Sequence, residues 1–209
     1  SDGTASADPA PAAPRSTTEA ADTHLSGTVT ADAGGGPLEG MCVSAYDPDT
    51  DAEGYGSTGP DGSYDIGGLP TGSYQVRFYD CADGNYLAEW FDDAASWSSA
   101  TRVAVTVGET TSGIDAGLAL PGRITGTVVA DDTGLRLGGS CVWAEGDEGY
   151  GSATTGPDGT YDIGGLATGS YRVRFSDCND PAGYAAEYFD DTTSYSAAVV
   201  VPVNAGETT

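Results

Sequence analysis

The sequence contains no lysine and only one histidine and one methionine among its 209 residues. Its 7 basic residues, all arginine, stand against 32 acidic ones, which gives a formal net charge of −25 at pH 7. A chain this acidic repels phosphate backbones and anionic lipid headgroups, so nucleic acid and anionic membrane surfaces are excluded as expected partners. No apolar run approaches the ~20 residues of a membrane span, and membrane insertion is therefore not expected either.

The scarcity of histidine also limits the chemistry that the chain can perform. A zinc peptidase or a Ser-His-Asp triad needs histidine as a ligand or base, and His24 stands alone. Acidic residues are so numerous that no pair of them stands out as the two carboxylates of a glycosidase. We therefore expect a protein that is not an enzyme.

What the chain does contain is organised by an internal repeat. The segment GPDGSYDIGGL at residues 59–69 returns as GPDGTYDIGGL at residues 156–166. In each copy a Pro-Asp-Gly turn is followed by an alternating run, which in the first copy places Tyr74, Val76 and Phe78 on one face of a strand. Short apolar runs separated by turn residues, without helical periodicity, predict an all-β fold: two tandem Ig-like β-sandwiches of about seven strands each.

One short pattern within the repeat predicts a local contact. Leu69 is followed by Gly72-Ser73-Tyr74 directly before the alternating strand. This arrangement resembles the tyrosine corner of Ig-like sandwiches, in which the tyrosine hydroxyl bonds to nearby backbone.

The repeat divides the chain into three predicted segments. Residues 1–23 are rich in Ala, Pro, Ser, Thr and Asp, which is typical of an extended tail or stalk. Residues 24–121 form the first sandwich and residues 122–209 the second, and we call these the first and second modules. The second copy stops at residues 206–209, which match residues 108–111. A counterpart of residues 112–120 is missing, so we expect the second sandwich to lack its last strand.

Four cysteines fall two per copy at equivalent positions. The simplest pairing lies within each copy, Cys42 with Cys81 and Cys141 with Cys178. Neither a CxxC spacing nor a histidine cluster accompanies them, which argues against zinc. Disulfides form in oxidising compartments, and the chain begins at Ser1 without a visible signal peptide, so we expect a processed protein that is secreted or held at the cell surface.

Calcium is the metal that the acidic residues favour, because hard cations take several closely spaced oxygen ligands. Acids alternate in the predicted loop of residues 47–54, and an Asp-Asp pair recurs at equivalent positions in both copies. The candidate ligands are Asp47, Asp49, Asp51, Glu53, Asp92, Asp93, Asp190 and Asp191. The second copy keeps only Glu145, Asp147 and Glu148 in its loop, which weakens the pattern.

Three tryptophans provide a second candidate surface. Trp90, Trp97 and Trp143 could stack on sugars or on a protein ligand. In small sandwiches aromatic side chains also fill cores and cover edges. Both interpretations stay open at this point.

The repeated pattern also carries a family resemblance. Each copy begins with Gly-x-Val and continues as Gly-x-Asp-Gly-x-Tyr-x-Ile-x-x-Leu-x-x-Gly-x-Tyr-x-Val-x-Phe. Over residues 24–209 this resembles the carboxypeptidase regulatory-like domains and the collagen-adhesin B-type repeats of bacterial surface proteins, which implies a transthyretin-like β-sandwich. Such modules serve as stalks, spacers, adhesive domains and accessory domains. The Lys–Asn isopeptide bonds of many adhesin repeats cannot form here, because lysine is absent.

Three functions follow as hypotheses. The first is a non-catalytic extracellular structural or adhesive protein, the subunit of a surface filament. In it, residues 1–23 of one subunit would complete the strand-deficient second module of the next, because an open sheet edge is a template for an added strand. The second is an accessory module that binds a glycan or a matrix protein. The third is a regulatory fragment of a larger secreted enzyme.

Overall fold

The computed structural model describes residues 22–82, 84–178 and 183–209. Within these residues the chain is built from strands, joined by turns and by two short 3₁₀ turns at Trp97–Ser99 and Tyr195–Ala197. The prediction of an all-β fold is confirmed. The extended segment predicted for residues 1–23 lies outside the described residues, except for its last two.

The first module has nine strands among its described residues. They are β1 (His24–Ala31), β2 (Cys42–Asp47), β3 (Ala52–Ser57), β4 (Ser63–Gly67), β5 (Gly72–Tyr79), β6 (Glu89–Trp90), β7 (Arg102–Val105), β8 (Thr110–Thr111) and β9 (Ala116–Leu118). One sheet has the order β4-β1-β8, with β9 also paired to β1. The other has the order β3-β2-β5-β6, with β7 also paired to β5. Strands β8 and β9 both run parallel to β1.

The described part of the second module repeats most of this plan. Its strands are β10 (Gly122–Thr127), β11 (Ser140–Gly146), β12 (Gly149–Thr154), β13 (Thr160–Leu166), β14 (Gly169–Asp177), β15 (Glu187–Tyr188) and β16 (Val200–Val203). β10 pairs with β13, and the other sheet has the order β12-β11-β14-β15 with β16 on β14. Thr208 bridges to Arg123 in parallel, where β8 pairs with β1 in the first module.

Each module encloses an apolar core made by strand alternation. In the first, Tyr74, Val76 and Phe78 of β5 are fully buried together with Leu25 and Val29 of β1. Burial of each such side chain contributes about 1.5–3 kcal/mol relative to exposure. The apolar face of β5 that the sequence pattern predicts is therefore the face that packs into the core.

The sequence does not predict β3, because residues 47–54 are interpreted there as one acidic loop. The hairpin turn is shorter, because β2 continues to Asp47 and β3 begins at Ala52. The inward positions of β3 include Gly54, where a Cβ would stand 2.6 Å from a methyl carbon of Leu69. The inward side of this strand has no room for the apolar side chains that mark a strand in a sequence.

One disulfide in each module links its strands covalently. Disulfides join Cys42 to Cys81 and Cys141 to Cys178, within each copy. Each closes a loop of about 40 residues, worth roughly 4 kcal/mol in the chain-entropy description.

The tyrosine corner is formed in both modules. The Oη of Tyr74 donates to the carbonyl of Pro70 at 2.9 Å, and the Oη of Tyr171 donates to the carbonyl of Ala167 at 3.0 Å. Both tyrosines are buried. The repeated segment and the tyrosine that follows it thus form a turn and a tyrosine corner, which fix where β5 and β14 begin.

We predict that Tyr74→Phe and Tyr171→Phe each lower the free energy of unfolding by about 1–2 kcal/mol, because each leaves a carbonyl without its donor. Tyr55→Phe is the matched control, since its hydroxyl bonds to Glu53 on a side chain that is 64% exposed. Hydrogen-exchange mass spectrometry measures the loss in each module separately. A loss for Tyr74→Phe no larger than for Tyr55→Phe would contradict the role of the corner.

Candidate functional site

The two modules differ most clearly at one sheet edge. In the first module β9 runs parallel to the second half of β1, with Val29 opposite Ala116 and Ala31 opposite Leu118. The amide of Asp32 donates to the carbonyl of Leu118 at 3.1 Å. This edge of β1 is therefore covered by β8, by residues 114–115 and by β9 in turn.

The residues just before β9 are held by three features of the first module. The buried hydroxyl of Tyr64 donates to the carbonyl of Ile114 at 2.6 Å. The Oδ1 of Asp115 accepts the amide and the hydroxyl of Thr28 at 2.7 and 2.9 Å. Gly27 allows this approach, since a Cβ there would stand 2.1 Å from the Ile114 carbonyl oxygen. The geometry thus requires a glycine, a threonine and a tyrosine at these three places.

The second module keeps all three residue types at the equivalent positions. They are Gly126, Thr127 and Tyr161, followed by Val128 where the first module has Val29. In the part of the chain that the structure describes, no strand pairs with β10 beyond Thr209, whose carbonyl accepts the amide of Thr125 at 2.8 Å. The second half of this edge is open.

Burial changes accordingly. Val29 is 0% exposed and Tyr64 is 4% exposed, whereas Val128 and Tyr161 are only half-buried and Val129 is 48% exposed. These side chains differ in exposure although their sequence context is the same. The difference is the missing cover of residues 114–118.

A groove lies beside this edge. Its lining includes Val128, Ala130, Leu137, Phe175, Tyr184 and Ala185. Its volume is about 140 Å³, close to the roughly 150 Å³ that removal of a buried leucine leaves in a core. We call this the open groove. In the first module Leu118 is fully buried beside the counterparts of the groove residues.

Two glutamates lie beside the closed and the open edge. In the first module, burial raises the pKa of Glu89 to about 7, with further contributions from Asp93 and Asp32, while the Gly117 amide bonds to its carboxylate and lowers the pKa. Burial also raises the pKa of Glu187, its counterpart at the open groove. Burial is thus the main cause of the raised pKa at both glutamates, with or without a covering strand.

The acidic residues proposed for calcium have protein partners. Asp47 is buried, and the amides of Asp49 and Ser73 donate to it at 2.9 and 3.2 Å. The Asp49 amide is the main reason that the pKa of Asp47 is lowered. Asp49 itself bonds to Arg102 at 2.6 Å. Tyrosine hydroxyls donate to the two remaining acids of the hairpin, Asp51 and Glu53.

The recurring Asp-Asp pairs occupy tight turns. Asp92 and Asp93 have φ values of 70° and 54°, and Asp190 and Asp191 have 71° and 55°. Aspartate is one of the few residues besides glycine that adopts this left-handed conformation readily, so turn geometry explains why the pair recurs. The described residues contain no group of three or more His, Cys, Asp or Glu placed to hold a metal ion.

The tryptophans lie on the outer faces of the larger sheets, among arginines. Trp90 and Trp97 pack edge to face with ring centroids 5.2 Å apart, and Arg77 lies over Trp90 at 5.8 Å. In the second module Arg174 lies over Trp143 at 5.4 Å. Cation–π contacts of this kind are worth about 0.5–1 kcal/mol at exposed sites. The structure thus gives two separate aromatic–arginine surfaces, one on each module.

We predict that stability falls as pH rises from about 5 to 8, because Glu89 has a folded pKa near 7, above that of the unfolded chain. The protonated carboxyl is favoured by folding, so its contribution is full below the unfolded pKa and is lost as pH passes through 7. Denaturant unfolding at the two pH values should show that Glu89→Gln removes about 1–2 kcal/mol of this dependence, after allowance for partial exposure. Glu109→Gln, at an exposed position, is the control. Equal pH dependence in Glu89→Gln and the native chain would contradict the assignment.

Calcium binding stays a prediction, and a calorimetric melt with and without a chelator tests it. Calcium held by the acidic hairpin or by the Asp pairs stabilises the folded state, so chelation should lower the midpoint. An unchanged midpoint would remove calcium as a structural element.

Comparison with known families identifies a match to the first module. Residues 24–119 match the family model of the carboxypeptidase regulatory-like domain, a span that runs from β1 through β9. A comparison with curated proteins finds no match. No helix in the described ranges has the length and hydropathy needed to cross a membrane.

Several solved structures are similar in fold. The Bacillus anthracis TIE protein is 18% identical with a TM-score of 0.37, and the match covers 80% of this chain but only 30% of that one. A streptococcal ancillary pilin is 19% identical with a TM-score of 0.47, covering 86% of this chain and 58% of that one. GBS52, the minor pilin of Streptococcus agalactiae, is 15% identical with a TM-score of 0.43, covering 89% and 92%. Likeness at this level carries no argument about ligands. The family match shows that residues 24–119, within the first module, are similar to a carboxypeptidase regulatory-like domain.

Proposed function

We propose that the chain is a non-catalytic extracellular structural or adhesive protein that joins a surface assembly by accepting a β-strand from a neighbouring molecule. The open groove carries this proposal. Gly126, Thr127 and Tyr161 repeat the residues that hold residues 114–118 in the first module, and the described residues leave them uncovered. An unpaired strand edge is a template for an added strand.

Two further observations support the setting and the absence of catalysis. Both cysteine pairs are joined in disulfides, which persist in oxidising, extracytoplasmic compartments. The single histidine, His24, lies 2.8 Å from Asp65, where β1 and β4 pair. This contact supports a structural role for His24 rather than a catalytic one.

The donor of the added strand decides what kind of assembly forms. In the sequence-based hypothesis the donor is residues 1–23 of the next subunit. A head-to-tail contact of this kind gives an open filament rather than a closed pair, because acceptor and donor lie on different surfaces. The hypothesis thus makes filament formation depend on both the groove and the tail.

A second candidate function rests on the aromatic–arginine surfaces. Tyr150 is 82% exposed and lies close to Trp143, Arg172 and Arg174 on the second module. Exposed aromatic rings beside arginine suit a glycan or a protein ligand. A glycan and matrix-protein binding screen with the Trp143→Ala variant as control tests this accessory-module function. The third hypothesis, a regulatory fragment of a larger secreted enzyme, is tested by the length of the native gene product.

We predict that a copy of residues 112–120 appended after Thr209 closes the groove and abolishes assembly. Residues 206–209 repeat residues 108–111, so the appended segment follows in its natural register. Electron microscopy and light scattering should show filaments or oligomers for the native chain and monomers for the extended one. A matched extension in which the counterparts of Ile114 and Leu118 are aspartate should leave assembly intact. Assembly that persists with the unaltered extension would contradict the proposed function.

A further inference from the structure

The aromatic–arginine surface of the second module specifies a class of ligand. We propose that it binds an acidic sugar, one that carries a carboxylate, with Arg172 and Arg174 holding the carboxylate and aromatic rings stacking on the sugar. This inference rests on the second candidate function and does not depend on strand acceptance. The charge of the site, its place within the sheet and its difference from the first module support this ligand class.

Both arginines lack an acidic partner, although the chain has 32 acidic residues. Arg102 and Arg123 form ion pairs with aspartates, whereas the ion pairs among the described residues include neither Arg172 nor Arg174. Glu145 lies opposite Arg172 in the strand pairing, yet no ion pair joins the two. A guanidinium group matches a carboxylate with two parallel hydrogen bonds. The two arginines are therefore available to an anionic group from outside the chain.

Aromatic rings hold both guanidinium groups in place. The Cζ of Arg174 lies 5.4 Å from the ring centroid of Trp143, and that of Arg172 lies 4.7 Å from the ring centroid of Tyr195. Tyr195 itself packs edge to face against Tyr188, with centroids 5.9 Å apart. The Nε of Arg172 is buried and has no hydrogen-bond partner among the described residues, so ring packing orients this side chain. An arginine fixed in this way loses little conformational entropy when a carboxylate binds.

The side chains around the arginines line an open pocket on the face of the sheet. Its volume is about 550 Å³, within the roughly 300–1,000 Å³ that is typical of small-ligand sites. Tyr150 at its rim is 82% exposed, and the ring of Trp143 is half-buried. Aromatic side chains offer an apolar ring face with a polar group at one end, which suits the apolar face of a sugar ring. The exposed carboxylate of Glu145 can accept sugar hydroxyl groups.

The place of the pocket within the sheet favours a sugar over an extended peptide. β11 is paired on one side with β12 and on the other with β14, and β14 lies between β11 and the strands β15 and β16. Their backbone groups are used by neighbouring strands, so this face has no edge to which a peptide strand could be added. The face offers rings and guanidinium groups instead. A densely charged polymer is disfavoured, because the net charge of −25 repels it.

The first module lacks this combination at the same register positions. On β2, Ser44 stands where β11 has Trp143, and on β5, Gln75 stands where β14 has Arg172. The first module keeps one arginine there, Arg77. The side-chain amide of Gln75 is already used, since it donates to a backbone carbonyl at 2.7 Å. The first module therefore provides both the replacement residues and the control position for a test.

The probes are an oligogalacturonate, an oligoglucuronate and carboxyl-reduced copies of both, titrated by calorimetry into the full 209-residue chain. We expect an acidic sugar to bind with a ratio of one per chain. Its carboxyl-reduced copy should bind at least about tenfold more weakly, because the charge-assisted hydrogen bonds to the arginines are lost. This comparison needs no variant of the protein and so is independent of folding.

Two variants give the second module the residues of the first. Arg172→Gln should weaken the acidic sugar about tenfold and leave the carboxyl-reduced sugar unaffected. Trp143→Ser should weaken both sugars, because both stack on the ring. Arg77→Gln, on the first module, is the matched control and should leave both affinities unchanged. The thermal midpoint of each variant, compared with that of the native chain, shows that the fold is retained.

The inference is overturned if neither acidic sugar binds, if the carboxyl-reduced copies bind equally well, or if Arg77→Gln weakens binding as much as Arg172→Gln. Tighter binding of a tetraglutamate peptide, or of a sulfated sugar without carboxylates, would also overturn it. Equal binding of the reduced copies would leave the accessory-module function in place and remove only the ligand class. None of these outcomes bears on strand acceptance, which the extended chain tests separately.

Discussion

Backbone hydrogen bonding along the outer edge of β1 and of β10 determines how deeply the neighbouring side chains are buried. The groups on the outer edge of β1 are taken up by β8 and β9, and the side chains beneath are buried as a result. β10 presents the same edge, but only its first half is satisfied, by residues 207–209. Because an unpaired edge is a template for another strand, the proposed function rests on this one difference.

The effect extends from the edge into the core. Ile114, Ala116 and Leu118 belong to the first core, and among the described residues the second core is smaller and holds no counterparts of them. Tyr161 and Phe175 keep the edge-to-face packing of Tyr64 and Phe78, with ring centroids 5.9 Å apart in both modules. The tyrosine nevertheless packs differently, because a Cβ on Gly126 would stand 2.6 Å from the Tyr161 hydroxyl, whereas the equivalent Gly27 faces the Ile114 carbonyl.

Apolar alternation and the internal repeat were sufficient to predict several features of the fold. The sequence identified the all-β fold, the inward face of β5 and the two disulfide pairs. It missed β3, because glycine occupies inward positions there, and it did not predict that the Asp pairs adopt left-handed turns. The groove and the shift at Glu89 could not be predicted from sequence, since both depend on which side chains the tertiary fold brings over them.

Amide exchange in the native chain, followed by NMR, tests the central claim most directly. Thr28 and Thr127 have the same neighbours in sequence, and their amides point to the same edge of equivalent strands. If the second edge is open, the Thr127 amide exchanges on the order of a hundredfold faster than that of Thr28. Equal protection of the two amides would contradict the account.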